Sequence, residues 1–361
     1  MDAVRYGVIG TGMMGCEHIA NIEATRGAEV AAVSDPTPKS LEWAREWLGE
    51  RGDDVAYGAD HRSILEDPTI DAVVIASPNH THIDVLRDAL RSDKHLLIEK
   101  PLCTTVPDCL EVQELAEGRE PLTWVALEYR FMPTIAVLLD QVGSGVCGDV
   151  RMVSIREHRF PFLDKVGNWN RFTSNTGGTL VEKCCHFFDL MCQIAGARPT
   201  LVYASGGQDV NHLDEVYDGR PADILDNALV TVEFANGVRG HLDLCMFAEG
   251  GRFEQELSVV GSTAKLEATV PGDTVWLGRR HEPGQEAIDA APDPALGYEG
   301  FHHGASFVEH RHFLRCIEQS APAEVPIADG LWSVAMGAAA HRSIDEGRPV
   351  GLREFGLEPT S

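Results

Sequence analysis

The stretch Gly10-Thr11-Gly12-Met13-Met14-Gly15 follows an apolar segment and opens a helical pattern. Glycines at that spacing permit a tight turn at Gly10 and close approach of a diphosphate to the backbone at Gly12. At Gly15 they permit close strand–helix packing, with the helix N-terminus turned towards phosphate charge. Thr11, Met13 and Met14 share the loop and are expected against the same ligand. Asp35 ends the next strand candidate, about 20 residues on, where a carboxylate accepts hydrogen bonds from ribose hydroxyls. It would also repel a 2′-phosphate, so NAD is expected over NADP, with nearby Lys39 acting against that preference. The reading that Asp35 only caps the following helix stays open.

The elements that must position these residues follow from the hydrophobic pattern. Short apolar runs at 5–10, 29–34, 72–76, 95–98 and 123–127 alternate with helical patterns at 13–24, 40–48, 83–92 and 106–117. That rhythm predicts a doubly wound parallel sheet of the Rossmann type. From about Val150 the rhythm changes. One long helix is predicted over 179–194, after Gly177-Gly178. Strands follow at 201–204, 227–234, 238–245, 254–260, 265–269 and 274–277, with Asn236-Gly237 as a two-residue hairpin turn. Consecutive strands imply a large, mostly antiparallel open sheet in an α+β domain. The stretch 272–300, rich in Pro, Gly, Asp and Ala, reads as a loop excursion, and helices at 305–318 and 329–346 close the chain. At 361 residues two domains are expected, 1–125 for the nucleotide and 126–361 for substrate and oligomer contacts.

Composition narrows the partners. The formal charge of −26, from 56 acidic and 30 basic side chains, repels nucleic acid and anionic lipid. No apolar run spans a bilayer and no secretory leader is evident, so a cytoplasmic protein is expected. Nine cysteines without a CxxC pair read as reduced thiols. Cys184, Cys185, His186 and Asp189 lack the spacing of a zinc site, and no metal is expected. The group His302, His303, His310 and His312 reads as packing rather than as a ligand set. No GxSxG or comparable nucleophile motif occurs.

Three further segments, in order, carry a resemblance. They are Ala76-Ser77-Pro78-Asn79-His80-Thr81-His82, Glu99-Lys100-Pro101, and Gly177-Gly178-Thr179-Leu180-Val181-Glu182-Lys183-Cys184-Cys185-His186-Phe187-Phe188-Asp189. Together with the glycine loop they resemble the Gfo/Idh/MocA oxidoreductases, over about 5–350. The resemblance implies hydride transfer between a nicotinamide and a secondary alcohol or ketone of a sugar, sugar derivative or cyclitol. It places Lys100 and His186 at the reacting carbon, and Ser77, Asn79, His82, Glu99 and Pro101 around the cofactor, although Asn79 and His82 could instead cap their helix. It also implies a homodimer or homotetramer built through the open sheet.

A lysine there can hydrogen-bond the hydroxyl and stabilise alkoxide charge or, deprotonated, act as base. His186 suits a general base because imidazole titrates near neutrality. Glu182, His186 and Asp189 fall at i, i+4 and i+7, one face of a helix. Glu182 could orient the imidazole or hold a hydroxyl, and it replaces the Asp that most of the family carries. Lys183 departs from the family's small or apolar residue; it reads as a contact to a polar substrate group or as a structural ion pair. Tyr129, Arg130, Trp169 and Arg171 could line a sugar pocket or serve the fold. Two other functions fit the same motifs: glycoside cleavage through transient oxidation of a ring hydroxyl, and a non-catalytic NAD-binding regulator.

Overall fold

The structure is a computed structural model that describes residues 3–294 and 296–359. Its first sheet has six strands, β1 (Val4–Ile9), β2 (Ala28–Ser34), β3 (Ala56–Gly58), β4 (Ala72–Ile75), β5 (His95–Glu99) and β6 (Thr123–Ala126). All pairs are parallel, in the order β3-β2-β1-β4-β5-β6. Helices α1 (Met13–Ala24), α2 (Pro38–Leu48), α3 (Arg62–Leu65), α4 (His82–Ala89) and α5 (Val106–Leu115) lie between the strands. The central strands are continuous apolar runs because both faces are covered; every residue of β4 is buried. Strand order reverses at β1, between β2 and β4. The loops leaving β1 and β4 therefore border the crevice where open α/β sheets take their ligands.

The second sheet follows α6 (Pro133–Gly143). It contains β7 (Val150–His158), β8 (Pro199–Gly207), β11 (Asn227–Phe234), β12 (Arg239–Cys245), β13 (Gln255–Gly261), β14 (Ala264–Val270), β15 (Thr274–Arg279), β16 (Glu286–Asp289) and the two-residue β17 (Val350–Gly351). A small separate ribbon joins β9 (Val216–Tyr217) to β10 (Arg220–Pro221). The nine strands run β16-β15-β14-β13-β7-β12-β11-β8-β17, antiparallel except for β7 beside β12. Helices α7 (Thr173–Thr176), α8 (Thr179–Glu182), α9 (Cys185–Ala195), α10 (Ala305–Gln319) and α11 (Ile327–Glu346) complete the chain, and α9 packs on β7. No helix among the described residues is long and apolar enough to cross a membrane.

Three sequence expectations are corrected. The single helix over 179–194 is two helices, α8 and α9, interrupted at Lys183-Cys184, where the Cys184 ψ of −4° opens the hydrogen-bond ladder. The Asn236-Gly237 turn has three loop residues, because Phe234 N–H donates to Val238 C=O and Gly237 N–H to Phe234 C=O. The excursion at 272–300 holds, besides the expected strand at 274–277 (β15), a second strand paired with it, β16.

By compactness the chain forms two units that are each discontinuous in sequence. The first comprises Met1–Phe131, Lys165–Trp169 and Pro294–Leu331; the second comprises Met132–Asp164, Asn170–Asp293 and Trp332–Ser361. Within the first unit, Glu17 of α1 holds the later segment by accepting from the Tyr298 hydroxyl at 3.2 Å and the Phe301 N–H at 3.1 Å. Trp124 of β6 donates its indole N–H to Glu309 of α10 at 2.9 Å.

Candidate active site

In the first unit the glycine loop is shaped by what its glycines exclude. Gly10 has φ +87°, and a side chain there would also meet the backbone of Ala76 and Ser77 at the end of β4. A methyl group at Gly15 would run into the Gly10 carbonyl, whereas one at Gly12 would meet nothing within 4 Å. Gly12 is also the N-cap of α1 and makes no side-chain cap bond. Open space thus lies beside a helix N-terminus, the setting for a diphosphate. Two buried polar atoms near these strand ends, Thr11 Oγ1 and Asn79 Nδ2, have no protein partner among the described residues. The residues fit a bound dinucleotide.

Asp35 ties this loop to the next. Its Oδ2 accepts from Thr11 N–H at 2.9 Å and its Oδ1 from Thr37 N–H at 2.8 Å. It therefore braces the turn after β2. Lys39 lies over the Trp43 ring, 5.2 Å from the centroid.

Lys100 follows β5 directly, and its peptide bond to Pro101 is cis. Its N–H donates to Glu99 Oε2 at 3.0 Å, and Glu99 Oε1 lies 2.8 Å from His18 Nε2. Burial would raise the Glu99 carboxyl. The His18 hydrogen bond, with the charges of His18, Lys100 and His302, outweighs burial and brings it down to about 2. His82 is buried with Nδ1 3.0 Å from Pro101 O and Nε2 3.0 Å from Ser77 O. It cross-links the loops after β4 and β5 through their backbones. Burial pushes its imidazole down.

In the second unit, Gly177-Gly178 turns the chain from α7 into α8. Gly178 has φ +87° and its α-carbon faces the His341 ring, leaving no room for a side chain. Leu180 N–H donates to His341 Nε2 at 3.1 Å, which requires a neutral ring nitrogen. Burial brings His341 down to about 4, against smaller raising effects of Asp345 and Gly178. Its folded value lies below its unfolded one, so its contribution is complete above about pH 6.5 and is lost as pH falls towards about 4. The expected outcome is a loss of about 3 kcal/mol of stability across that window. Denaturant melts from pH 7 to 4 should show the loss, and it should flatten in His341→Asn.

Past the turn, Glu182, His186 and Asp189 are all buried. His186 and Asp189 share α9, but Glu182 ends α8 on the far side of the break. The i, i+4, i+7 face therefore does not lie on one continuous helix.

Residues 4–127 match the sequence model described as the oxidoreductase family NAD-binding Rossmann fold, and residues 140–352 match that of the oxidoreductase family C-terminal alpha/beta domain. The chain belongs to the Gfo/Idh/MocA oxidoreductase family. Among its curated relatives, the myo-inositol 2-dehydrogenase of Thermotoga maritima is 28% identical over 358 residues, covering 97% of this chain and 99% of the relative. The NAD(+)-dependent scyllo-inositol 2-dehydrogenase of Bacillus subtilis is 25% identical, covering 97% and 96%. A solved structure of levoglucosan dehydrogenase with NADH superposes with a TM-score of 0.83 at 21% identity, covering 97% and 99%. A probable dehydrogenase from Thermotoga maritima superposes with a TM-score of 0.78 at 26% identity, covering 97% and 99%. The protein is thus an NAD-dependent oxidoreductase with a family fold throughout.

Several side chains that could line a sugar pocket make contacts within the protein. Lys183, 5% exposed, pairs with the fully buried Glu157 of β7 at 2.9 Å. This is the ion pair that the structural reading of Lys183 expected. Arg130 pairs with Asp329 at 2.7 Å and donates to Glu324 C=O at 3.0 Å. Arg171 is buried against Asp164 at 2.6 Å and Glu215 at 2.9 Å. Tyr129 packs its ring 5.8 Å from His302, and Trp169 lies 6.1 Å from the His80 ring. The sequence reading missed His18, three residues beyond Gly15, and it set His310 aside as packing. Position on a mostly apolar buried helix face was the available signal, and no spacing rule marked it.

Proposed function

We propose that this enzyme oxidises a secondary hydroxyl of a cyclitol, sugar or sugar derivative with NAD, or runs the reverse reduction. Bound NAD supplies the hydride acceptor. Lys100 holds the substrate hydroxyl and stabilises its developing negative charge, His186 takes the hydroxyl proton, and Glu182 orients a polar group of the substrate or the imidazole. The observation that carries the reading is Lys100 at the carboxyl end of β5, within a Rossmann unit whose glycine loop is open for a diphosphate. The relatives named for inositol and levoglucosan narrow the substrate class. Copies of the chain associate through the outer face of the nine-stranded sheet, where Met152, Tyr203, Leu229 and Trp276 are exposed. A cytoplasmic location, beside the NAD pool, belongs to the same proposal.

The test is NADH formation across a panel of inositols, aldoses and levoglucosan, with His186→Gln alongside. The expected result is turnover with at least one member and a kcat lowered about 10²–10⁴-fold in the variant. Release of aglycone from a chromogenic glycoside without NADH accumulation would replace this reading with transient-oxidation cleavage.

A further inference from the structure

Behind Lys100 lies a buried polar chain that the reaction as described does not use. Glu99 ends β5 with its carboxylate turned inward beneath α1, not towards solvent. One oxygen meets His18 Nε2 at 2.8 Å, and the other takes the N–H of Lys100 at 3.0 Å. On its far side His18 Nδ1 lies 2.8 Å from His310 Nε2 of α10. All three side chains are buried, and the His310 ring centroid lies 6.3 Å from that of Tyr6 of β1. Three elements of the first unit are thus joined in one chain: the strand that ends at Glu99, the glycine-loop helix through His18, and a helix from late in the chain through His310.

The hydrogen bonds fix the protons. Burial and the neighbouring His18 push His310 well below the ordinary imidazole range, so it is neutral. With Glu99 ionised, His18 Nε2 must donate to it, and a neutral His310 then either donates to Nδ1 of a neutral His18 or accepts from Nδ1 of a protonated one. In both cases His18 keeps a proton on Nε2, aimed at Glu99. A buried carboxylate with such a donor, plus a backbone N–H, stays ionised. Other charged groups of the first unit within reach are His302, Glu128, which lies 3.5 Å from His302, and Glu309, which burial and Glu128 push well above the carboxylate range.

Building on the role given above to Lys100, we propose that His18 and His310 are positioning residues that hold Glu99 as a fixed negative charge behind Lys100, locking the loop through its N–H and keeping the ammonium protonated during turnover. Lys100 then serves as donor and cation, which leaves the base role to the imidazole. The interaction is reciprocal, because Lys100 is among the charges that keep Glu99 ionised.

The chain has six lysines, so their side-chain signals can be followed individually in full-length protein labelled with ¹³Cε-lysine, with Lys100→Arg to assign the resonance. The titration needs no substrate. In His18→Leu and in the nearly isosteric Glu99→Gln the Lys100 titration is expected to move down by about one pH unit, a ten-fold change in its proton affinity. The alkaline limb of kcat/KM should move down with it. His18→Gln, which keeps a donor, should restore most of the shift. A Lys100 titration unchanged in both His18→Leu and Glu99→Gln overturns the proposal. So does a uniform loss of rate with an unshifted pH profile, since packing alone would do that. Should His18→Leu not fold, Glu99→Gln decides by itself. A shifted titration without turnover on any sugar or cyclitol leaves this inference standing and removes the substrate reading instead.

Discussion

Replacing Lys100 with methionine is expected to lower kcat about 10²–10³-fold, the usual loss when a donor to developing oxyanion charge is removed. Methionine matches the aliphatic length of lysine and keeps the backbone N–H that Glu99 accepts at 3.0 Å, so the loop after β5 stays in place. The glycine loop, Asp35 and the N-terminus of α1 are untouched, and the NAD dissociation constant should change by less than about three-fold. Fluorescence titration with NADH and steady-state rates on the best substrate of the panel separate the two effects. A variant retaining a tenth or more of the wild-type kcat would remove Lys100 from the chemistry. A variant that loses cofactor affinity in proportion to rate would mark the lysine as part of the nucleotide site alone.

Much of the first unit was legible because its signals are local. A strand, a turn that only glycine can make, and a helix beginning at Met13 are written in consecutive residues, and α1 runs Met13–Ala24 as read. The three-residue edge strand β3 escaped because it is too short to show a period. In the second unit β7 escaped for a different reason. Its inward positions are Val153, Ile155 and Glu157, and a buried glutamate breaks the apolar alternation that marks a half-covered strand. The helix α6 contains the run Ile-Ala-Val-Leu-Leu, which periodicity assigns equally to strand or helix.

The candidate site divides in the same way. The glycine loop and Lys100 follow from short motifs. Glu157 lies 26 residues from Lys183, Asp329 lies 199 from Arg130 and Glu215 lies 44 from Arg171, in elements whose pairing no motif announces. A cation near a motif reads as a ligand contact until its own carboxylate is found. The chain from Glu99 through His18 to His310 spans 292 residues between its two imidazoles, so only the folded chain brings it together.

The ion pair of Lys183 with Glu157 gives the largest expected effect on stability. Burial pushes Glu157 up and Lys183 down, against their mutual attraction, so each depends on the other to remain charged. Glu157 Oε2 has no partner among the described residues, and Arg159 reaches Oε1 only at 3.5 Å. Lys183→Met should therefore cost about 3–5 kcal/mol at pH 8, because it leaves a carboxylate buried without its ammonium. The cost should shrink as pH falls towards about 4, where the carboxyl is protonated in the unfolded chain as well. Lys183→Met with Glu157→Leu should recover to within about 1 kcal/mol of wild type, since an apolar pair of similar volume needs no desolvation of charge. Arg159 keeps Glu254 at 3.6 Å in that double variant. Urea melts of the two single variants and the double variant form a cycle whose coupling energy reports the pair directly. If the double variant is no more stable than Lys183→Met, the glutamate carries the fold at this point without help from the lysine. The ammonium would then be free of the structural role assigned to it, and a substrate group would again be the better account of why a cation stands between α8 and α9.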